Sequence, residues 1–298
     1  MNASAAAPLV ATFIARPQNS AALAAVLAEA AALAVAETPD WLSEDEAADL
    51  FFVPAPDLAA RIEALAAGRP VDVVVQKVAE RKKRLLVADM DSTMIGQECI
   101  DELADMAGLK PKVAAITERA MRGEIAFEPA LRERVGLLKG LPLSVVDAVL
   151  ENRITLTPGG PELVRTMRAH GGYAALVSGG FTLFTAPIAA RIGFDENRAN
   201  RLNHEHGVLT GTVVQPILGQ EAKLSALIEI ARRLKLERHE TLAIGDGAND
   251  LSMIRAAGLG VAFRAKPKVA AEADARVRHS DLSALLFTQG YRRAQFIS

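Results

Sequence analysis

One cysteine in 298 residues, Cys99, rules out an internal disulfide and fits a reducing, cytoplasmic setting. Aromatic residues are only 4% of the chain, which leaves alanine-rich helices with small packing residues as the main building material. Neither sign of charge is in excess. The formal net charge of -2 gives no electrostatic case for nucleic acid or an anionic membrane as a partner. No apolar run reaches membrane-spanning length. The Ala-rich N-terminus has no basic n-region, which argues against a secretory signal. What is present is hydrophobicity, at 50% of residues, enough for a sizeable core. The length allows one large domain or two ordinary ones.

The strongest local signal is Leu85-Leu86-Val87-Ala88-Asp89-Met90-Asp91-Ser92-Thr93. A short apolar run between the basic Arg81–Arg84 and Gly96 reads as a buried parallel strand. Two carboxylates follow at i and i+2, so in an extended segment Asp89 and Asp91 share a face. Alone, Asp-x-Asp could equally start a turn. Its place just past the carboxyl end of a strand is also where open α/β sheets hold ligands.

Residues 1–78 form one compositional unit with the expected order strand (Pro8–Ala15), helix (Ser20–Ala36), strand (Asp49–Val53), helix (Pro56–Ala67) and strand (Val71–Gln76). That order makes a small α+β domain. Lys77–Arg84 reads as a charged, solvated linker. Between about residues 96 and 154 four helices are expected, at Glu98–Met106, Pro111–Arg122, Glu128–Lys139 and Ser144–Asn152, a candidate lid. Alternation then resumes. Strands at Tyr173–Val177, Thr241–Ile244 and finally Leu259–Phe263 alternate with helices at Pro161–His170, Phe184–Ile192, Glu221–Leu234 and Leu251–Ala256. Ala199–Gln215 suggests a hairpin. The expected fold class is α/β: a doubly wound, Rossmann-like parallel sheet with a helical cap inserted after its first strand, plus the small N-terminal α+β domain.

Four features fall at strand ends or helix starts of residues 83–298: Asp89-x-Asp91, Ser178-Gly179-Gly180, Lys223, and Gly245-Asp246-Gly247-Ala248-Asn249-Asp250. Strand ends of such a sheet converge on one crevice. Carboxylates gathered there need a cation, and oxygen-only donors point to a hard ion, Mg²⁺. Asp89, Asp246 and the carbonyl of Asp91 are the expected ligands, with Asp250 behind them. Lys223, the Ser178 hydroxyl and the Gly179 N–H supply donors for a phosphoryl group, and Gly180, also expected to bind substrate, lets the backbone approach closely. An aspartate is already ionised at neutral pH, so Asp89 can attack phosphorus unaided. Asp91 would then be the general acid and base, with its pKa raised by its neighbours.

These motifs, in order, resemble the four motifs of the haloacid dehalogenase superfamily of aspartate-nucleophile phosphatases. Gly96-Gln97-Glu98, Met121-Arg122-Gly123, Phe127, Leu131-Arg132-Glu133-Arg134-Val135 and Leu137-Leu138-Lys139-Gly140 resemble the cap of phosphoserine phosphatases. The resemblance covers residues 83–295. It implies a cytoplasmic phosphoric monoester hydrolase that uses Mg²⁺ to cleave O-phospho-L-serine in the last step of serine biosynthesis. It implies that Glu98 faces the substrate ammonium and Arg134 its carboxylate, that Met121 and Phe127 cover the site, and that Asn249 completes the phosphate contacts. Ala130 departs from the pattern, since many relatives carry a serine there. The N-terminal element order resembles an ACT-like module, implying regulation or a homodimer contact. The alternatives are action on another small phosphate ester, phosphotransfer to an alcohol, or a non-enzymatic amino-acid-binding regulator.

Overall fold

The computed structural model describes residues 8–35, 38–122 and 124–298, with the side chain of Met121 outside them. The first unit runs β1 (Leu9–Ile14), α1 (Ser20–Ala34), β2 (Asp40–Ser43), β3 (Ala47–Phe52), α2 (Leu58–Ala64) and β4 (Asp72–Lys77). Its sheet is antiparallel in the order β2-β3-β1-β4. The expected order lacked β2. That strand is only four residues long and sits at the sheet edge, so it carries little alternation for a pattern to reveal. Ala36, expected to end the first helix, lies outside the described residues.

The second unit begins with β5 (Leu85–Ala88), all four residues buried, as a strand covered on both faces must be. The cap helices follow: α3 (Cys99–Met106), α4 (Lys110–Met121), α5 (Phe127–Leu137) and α6 (Ser144–Asn152). Then come α7 (Gly160–Ala169), β6 (Tyr173–Phe181), α8 (Thr182–Ile192), β7 (Glu196–Asn200), β8 (Leu202–Glu205), β9 (Val208–Val213) and α9 (Glu221–Leu234). The chain closes with β10 (Thr241–Gly245), α10 (Leu251–Ala256), β11 (Leu259–Phe263), α11 (Pro267–Glu272), β12 (Ala275–Val277) and α12 (Ala284–Thr288).

The main sheet is parallel, in the order β12-β11-β10-β5-β6-β7. Two strands differ from expectation. β7 is the outer strand of this sheet, and the hairpin starts only at β8. β12 adds a strand beyond Leu259–Phe263; at three residues it is too short to show a period. The chain leaves β5 for β6 on one side and returns through β10 on the other. The crevice at the carboxyl end of β5 is therefore a topological switch point.

The cap joins the core through two stalks that pair with each other. Ile95 bridges Leu156, Gly96 N–H donates to the Thr155 carbonyl, and Thr157 N–H donates to the Met94 carbonyl. The cap is also stitched to the hairpin. Gly140 N–H donates to the Leu209 carbonyl, Leu209 N–H to the Leu141 carbonyl, and Leu143 N–H to the Gly207 carbonyl.

Lys77–Arg84 is not a solvated linker. Arg81 is 8% exposed and Lys83 5%. The Arg81 guanidinium donates to both oxygens of Asp49 at 2.7 and 3.1 Å, and to the carbonyls of Phe287 at 3.1 Å and Thr288 at 3.2 Å. Asp49 also accepts from Thr12 Oγ1 at 2.7 Å. A charged run is ordinarily solvated. Here the first unit supplies a buried carboxylate and the last helix supplies carbonyls, so burial of the cation is compensated. Residues Leu282–Gln289, in and around α12, are almost wholly buried between the two units. Tyr291, Arg292 and Arg293 continue this docking, with ion pairs from Arg292 to Asp40 and from Arg293 to Glu46.

Candidate active site

The chain leaves β5 through an irregular turn, Met90–Met94, in which Asp91 is extended and Ser92 takes φ 55°. This turn aims Asp89 and Asp91 into the crevice. Asp89 accepts the Met90 N–H at 2.8 Å and lies 2.6 Å from Lys223 Nζ. Lys223, near the start of α9, also reaches Asp250 Oδ1 at 2.5 Å. The other Asp250 oxygen accepts the Gly247 N–H at 3.0 Å. Lys223 and Asp250 are both buried. A Cβ at Gly245 would lie 2.3 Å from Asp250 Cγ, so only glycine lets this carboxylate fold back under the strand end.

Charge balance follows from burial. Burial pulls Lys223 toward neutrality, but Asp89 and Asp250 outweigh it and hold its pKa above the ordinary lysine value. Burial, and then the charge of Asp250, push Asp89 well above the usual carboxylate range. Asp246 stands at about 6, through burial and then the charges of Asp250 and Glu98. Asp91 is raised chiefly by burial, against the Cys99 N–H donating to its Oδ1 at 3.0 Å. Lys223 thus acts on Asp89, Asp91, Asp246 and Asp250, with Lys266 adding a smaller positive effect at Asp246. Carboxylate oxygens of Asp89, Asp246 and Asp250 lie within 4.8 Å of one another. Asp250 is committed to Lys223 and Gly247, leaving Asp89 and Asp246 as the freer donors. An all-oxygen donor set with surplus negative charge fits a hard divalent cation.

At the end of β6, Ser178 Oγ accepts the Gly180 N–H at 2.9 Å and lies 3.5 Å from Asp91 Oδ2. A Cβ at Gly180 would stand 3.1 Å from both Asp91 Oδ2 and Ser178 Oγ, so a side chain there would crowd the acid. Asn249 is exposed at the rim beside Gly247.

From the cap, Glu98 accepts the Ser92 hydroxyl at 2.7 Å. Its edge meets solvent, yet surrounding protein and the charge of Asp91 raise its pKa to about 6. Arg134 is half-buried. Its Nε donates to the Ala130 carbonyl at 3.3 Å and its Nη1 to Thr117 at 3.4 Å. Burial lowers its pKa while the charges of Asp101 and Glu98 raise it, yet among the described residues it forms no ion pair. The Phe127 ring rests over Gly179 and Gly219, where an added Cβ would lie 3.6 and 3.7 Å away, and it is 41% exposed. The Met121 side chain lies outside the described residues.

Three contributors were not singled out from sequence. The Thr93 hydroxyl is 3.4 Å from Asp246 Oδ1, Ser92 holds Glu98, and Cys99 serves through its backbone N–H. The two hydroxyls directly after Asp91 were the available signal. The Cys99 backbone donor had none. Its thiol is pushed up by burial and is inert as a nucleophile.

The segment 86–255 matches the model of the haloacid dehalogenase-like hydrolases. The chain is 44% identical over 233 residues to phosphoserine phosphatase SerB2 of Mycobacterium tuberculosis, covering 78% of this chain but 57% of that protein. It spans just over half the length of that relative. It is 44% identical over 224 residues to a phosphoserine phosphatase of Polaromonas sp., covering 74% of this chain and 95% of the relative. The fold matches the unliganded crystal structure of a probable phosphoserine phosphatase from Vibrio cholerae with a TM-score of 0.78 at 32% identity, over 97% of this chain and 88% of the other. A strand-end Asp-x-Asp, a buried lysine and a second acidic cluster thus meet at the switch point of a chain whose matched segment exceeds half its length, and the chain belongs to the haloacid dehalogenase-like hydrolase family.

Proposed function

We propose that this chain is a Mg²⁺-dependent phosphoserine phosphatase, hydrolysing O-phospho-L-serine to L-serine and phosphate in the last step of serine biosynthesis in the cytoplasm. The observation that carries the substrate is the opposite charge of Glu98 and Arg134 beside the phosphoryl crevice. Glu98 feels the charge of Asp91, and Arg134 that of Glu98. An ammonium and a carboxylate on one small ester would meet complementary partners.

In this reading an Asp89 oxygen attacks phosphorus and the bond from phosphorus to the serine oxygen breaks. Asp91 gives its proton to that oxygen, which leaves as the serine hydroxyl. Asp91 then takes a proton from water as the water attacks the aspartyl-phosphate, freeing Asp89 and phosphate. The raised pKa of Asp91 supports a proton held before the first step. Lys223, Ser178 and the Gly179 amide hold the phosphoryl oxygens, while the Gly180 N–H is spent on Ser178 Oγ; Asn249 contacts the substrate from the rim, and Phe127 excludes water. Asp89, Asp246 and the Asp91 carbonyl would hold Mg²⁺, with Asp250 behind them; the ion when bound offsets repulsion between the carboxylates and the phosphate.

We read residues 1–78 as an ACT-like regulatory or dimerisation module. Residues 83–298 form the phosphatase domain, with its cap at about 96–154. The order β2-β3-β1-β4 with both helices in sequence between strands supports the first, and the place of β2 as an edge strand suits a homodimer contact. Phosphate release from a panel of small phosphate esters, with and without Mg²⁺ and with acceptor alcohols added, tests the assignment. Selectivity for O-phospho-L-serine is expected. Equal rates across the panel would sink the substrate assignment, and phosphoryl transfer to an alcohol would make the chain a phosphotransferase.

A further inference from the structure

Asn200, the last residue of β7, is 2% exposed and belongs to no catalytic motif. Its amide is nonetheless spent on two loops of the active site. Nδ2 donates to the Gly179 carbonyl at 2.9 Å and to the Leu218 carbonyl at 3.1 Å, while Oδ1 accepts the Leu218 N–H at 2.7 Å. Three of the four bonds the group can make are thereby fixed.

The first bond acts on one peptide plane. The Gly179 carbonyl and the Gly180 N–H belong to the same peptide, and that N–H donates to Ser178 Oγ. A peptide is rigid, so holding its oxygen fixes the direction of its N–H. With one Ser178 lone pair taken by Gly180, the serine proton is left to turn toward the crevice, where Asp91 Oδ2 lies at 3.5 Å. The other two bonds close the base of the hairpin. The chain leaves the main sheet after Asn200, forms β8 and β9, and returns at Leu218. Gly219 follows at once, and with Gly179 it forms the floor under Phe127. The hairpin itself is stitched to the cap at Gly140, Leu141 and Leu143.

We infer that Asn200 is a positioning residue that holds the Ser178 hydroxyl and the Phe127 seat in one register, and so couples the cap-bearing hairpin to the phosphoryl site. This rests on the phosphatase reading above. Without the amide, the part-buried Gly179 carbonyl and the Leu218 carbonyl and N–H lose the partner that Asn200 supplies, and both loops relax. Misplacement of a positioned group by about 1 Å can cost on the order of 100-fold in rate.

The test uses the full chain, as wild type, Asn200→Ala and Asn200→Asp. Aspartate keeps the acceptor for Leu218 N–H but turns both donations into contacts of a carboxylate with carbonyls. Initial rates are taken with O-phospho-L-serine and p-nitrophenyl phosphate, together with inhibition by orthovanadate, a mimic of phosphorus in transfer. We expect KM for O-phospho-L-serine and the vanadate inhibition constant both to rise about 10-fold to 100-fold. Combined with Ser178→Ala, the Asn200 effect on vanadate should shrink, because its target is gone. A purely structural role would lower kcat with the folded fraction and leave KM and the vanadate constant unchanged; that result overturns the inference, as does full additivity with Ser178→Ala. If Asn200→Ala does not fold, Asn200→Asp carries the same readouts. A wild type inactive on both esters defeats the phosphatase reading; an active wild type with unaltered variants defeats the Asn200 inference alone.

Discussion

Lys223 Nζ lies 2.6 Å from Asp89 Oδ1, and both side chains are buried. Among the described residues this ammonium is the cation paired directly with the buried carboxylates, since it also reaches Asp250. Lys223→Met should therefore leave Asp89 and Asp250 buried without compensation and destabilise the fold by about 3–5 kcal/mol. Turnover should fall by about 100-fold or more, as for loss of an electrostatic donor at a phosphoryl site. Urea melts and initial rates check both. A Lys223→Met chain with wild-type stability would show that the carboxylates are neutral in the fold.

The cap charges should separate by substrate. Arg134→Ala should weaken binding of O-phospho-L-serine by roughly 1.5–3 kcal/mol, the range for a hydrogen bond to a charged group. It should leave phosphoethanolamine, which has no carboxylate, near its wild-type KM. Glu98→Gln should weaken both. Equal losses on the two esters in the Arg134 variant would mean that the arginine only braces the cap.

The carboxylate cluster predicts a pH-dependent response to cations. Asp89, Asp91 and Asp246 are all raised, Asp246 to about 6. A raised carboxylate pKa contributes stability that is full below the unfolded value, roughly 4, and is lost as pH rises through the folded value. The cation-free chain should thus lose stability as pH rises from about 4 through Asp246 at about 6, with Asp89 and Asp91 adding loss in the same direction. Mg²⁺ should raise the melting temperature more at pH 8 than at pH 5, because ionised ligands bind it and their repulsion is then relieved. Thermal melts in EDTA and in Mg²⁺ at the two pH values measure this. An equal shift at both would place the ion elsewhere.

The buried pair of Arg81 and Asp49 should behave as a joint between the two units. Asp49→Ala should cost about 3–5 kcal/mol by stranding Arg81, and adding Arg81→Met should recover much of the loss. A chain beginning at residue 79 should expose α12 and aggregate. Equilibrium unfolding of the variants and size-exclusion of the truncation test this; a soluble, active truncation would show that the joint is dispensable.

The core of the site could be read locally because its parts are local. β5 is four buried apolar residues followed at once by Asp89, and the Gly245–Asp250 run folds on itself through Gly247 and Asp250. Edge strands β2 and β12 were not legible, being three or four residues long. The burial of Arg81 could not be read from its neighbours at all. Its partners lie 32 residues before it and more than 200 after it, and a basic run carries no mark of either. Asn200 is the same case on a smaller scale: its meaning lies in two loops that only the fold brings together.

The position of α12 also sets an order of events during synthesis. The first unit is made before α12, but one face of its sheet packs through Ile14, Ala47 and Val74 into the cluster that holds Phe287, and Arg81 meets the Thr288 carbonyl 207 positions further along the chain. A ribosome extending the chain therefore presents a complete but half-covered sheet, with Arg81 and Asp49 wet, until residues 282–293 emerge. Contacts of such long sequence separation slow folding. Maturation of the N-terminal unit should lag behind its translation and finish together with the catalytic sheet.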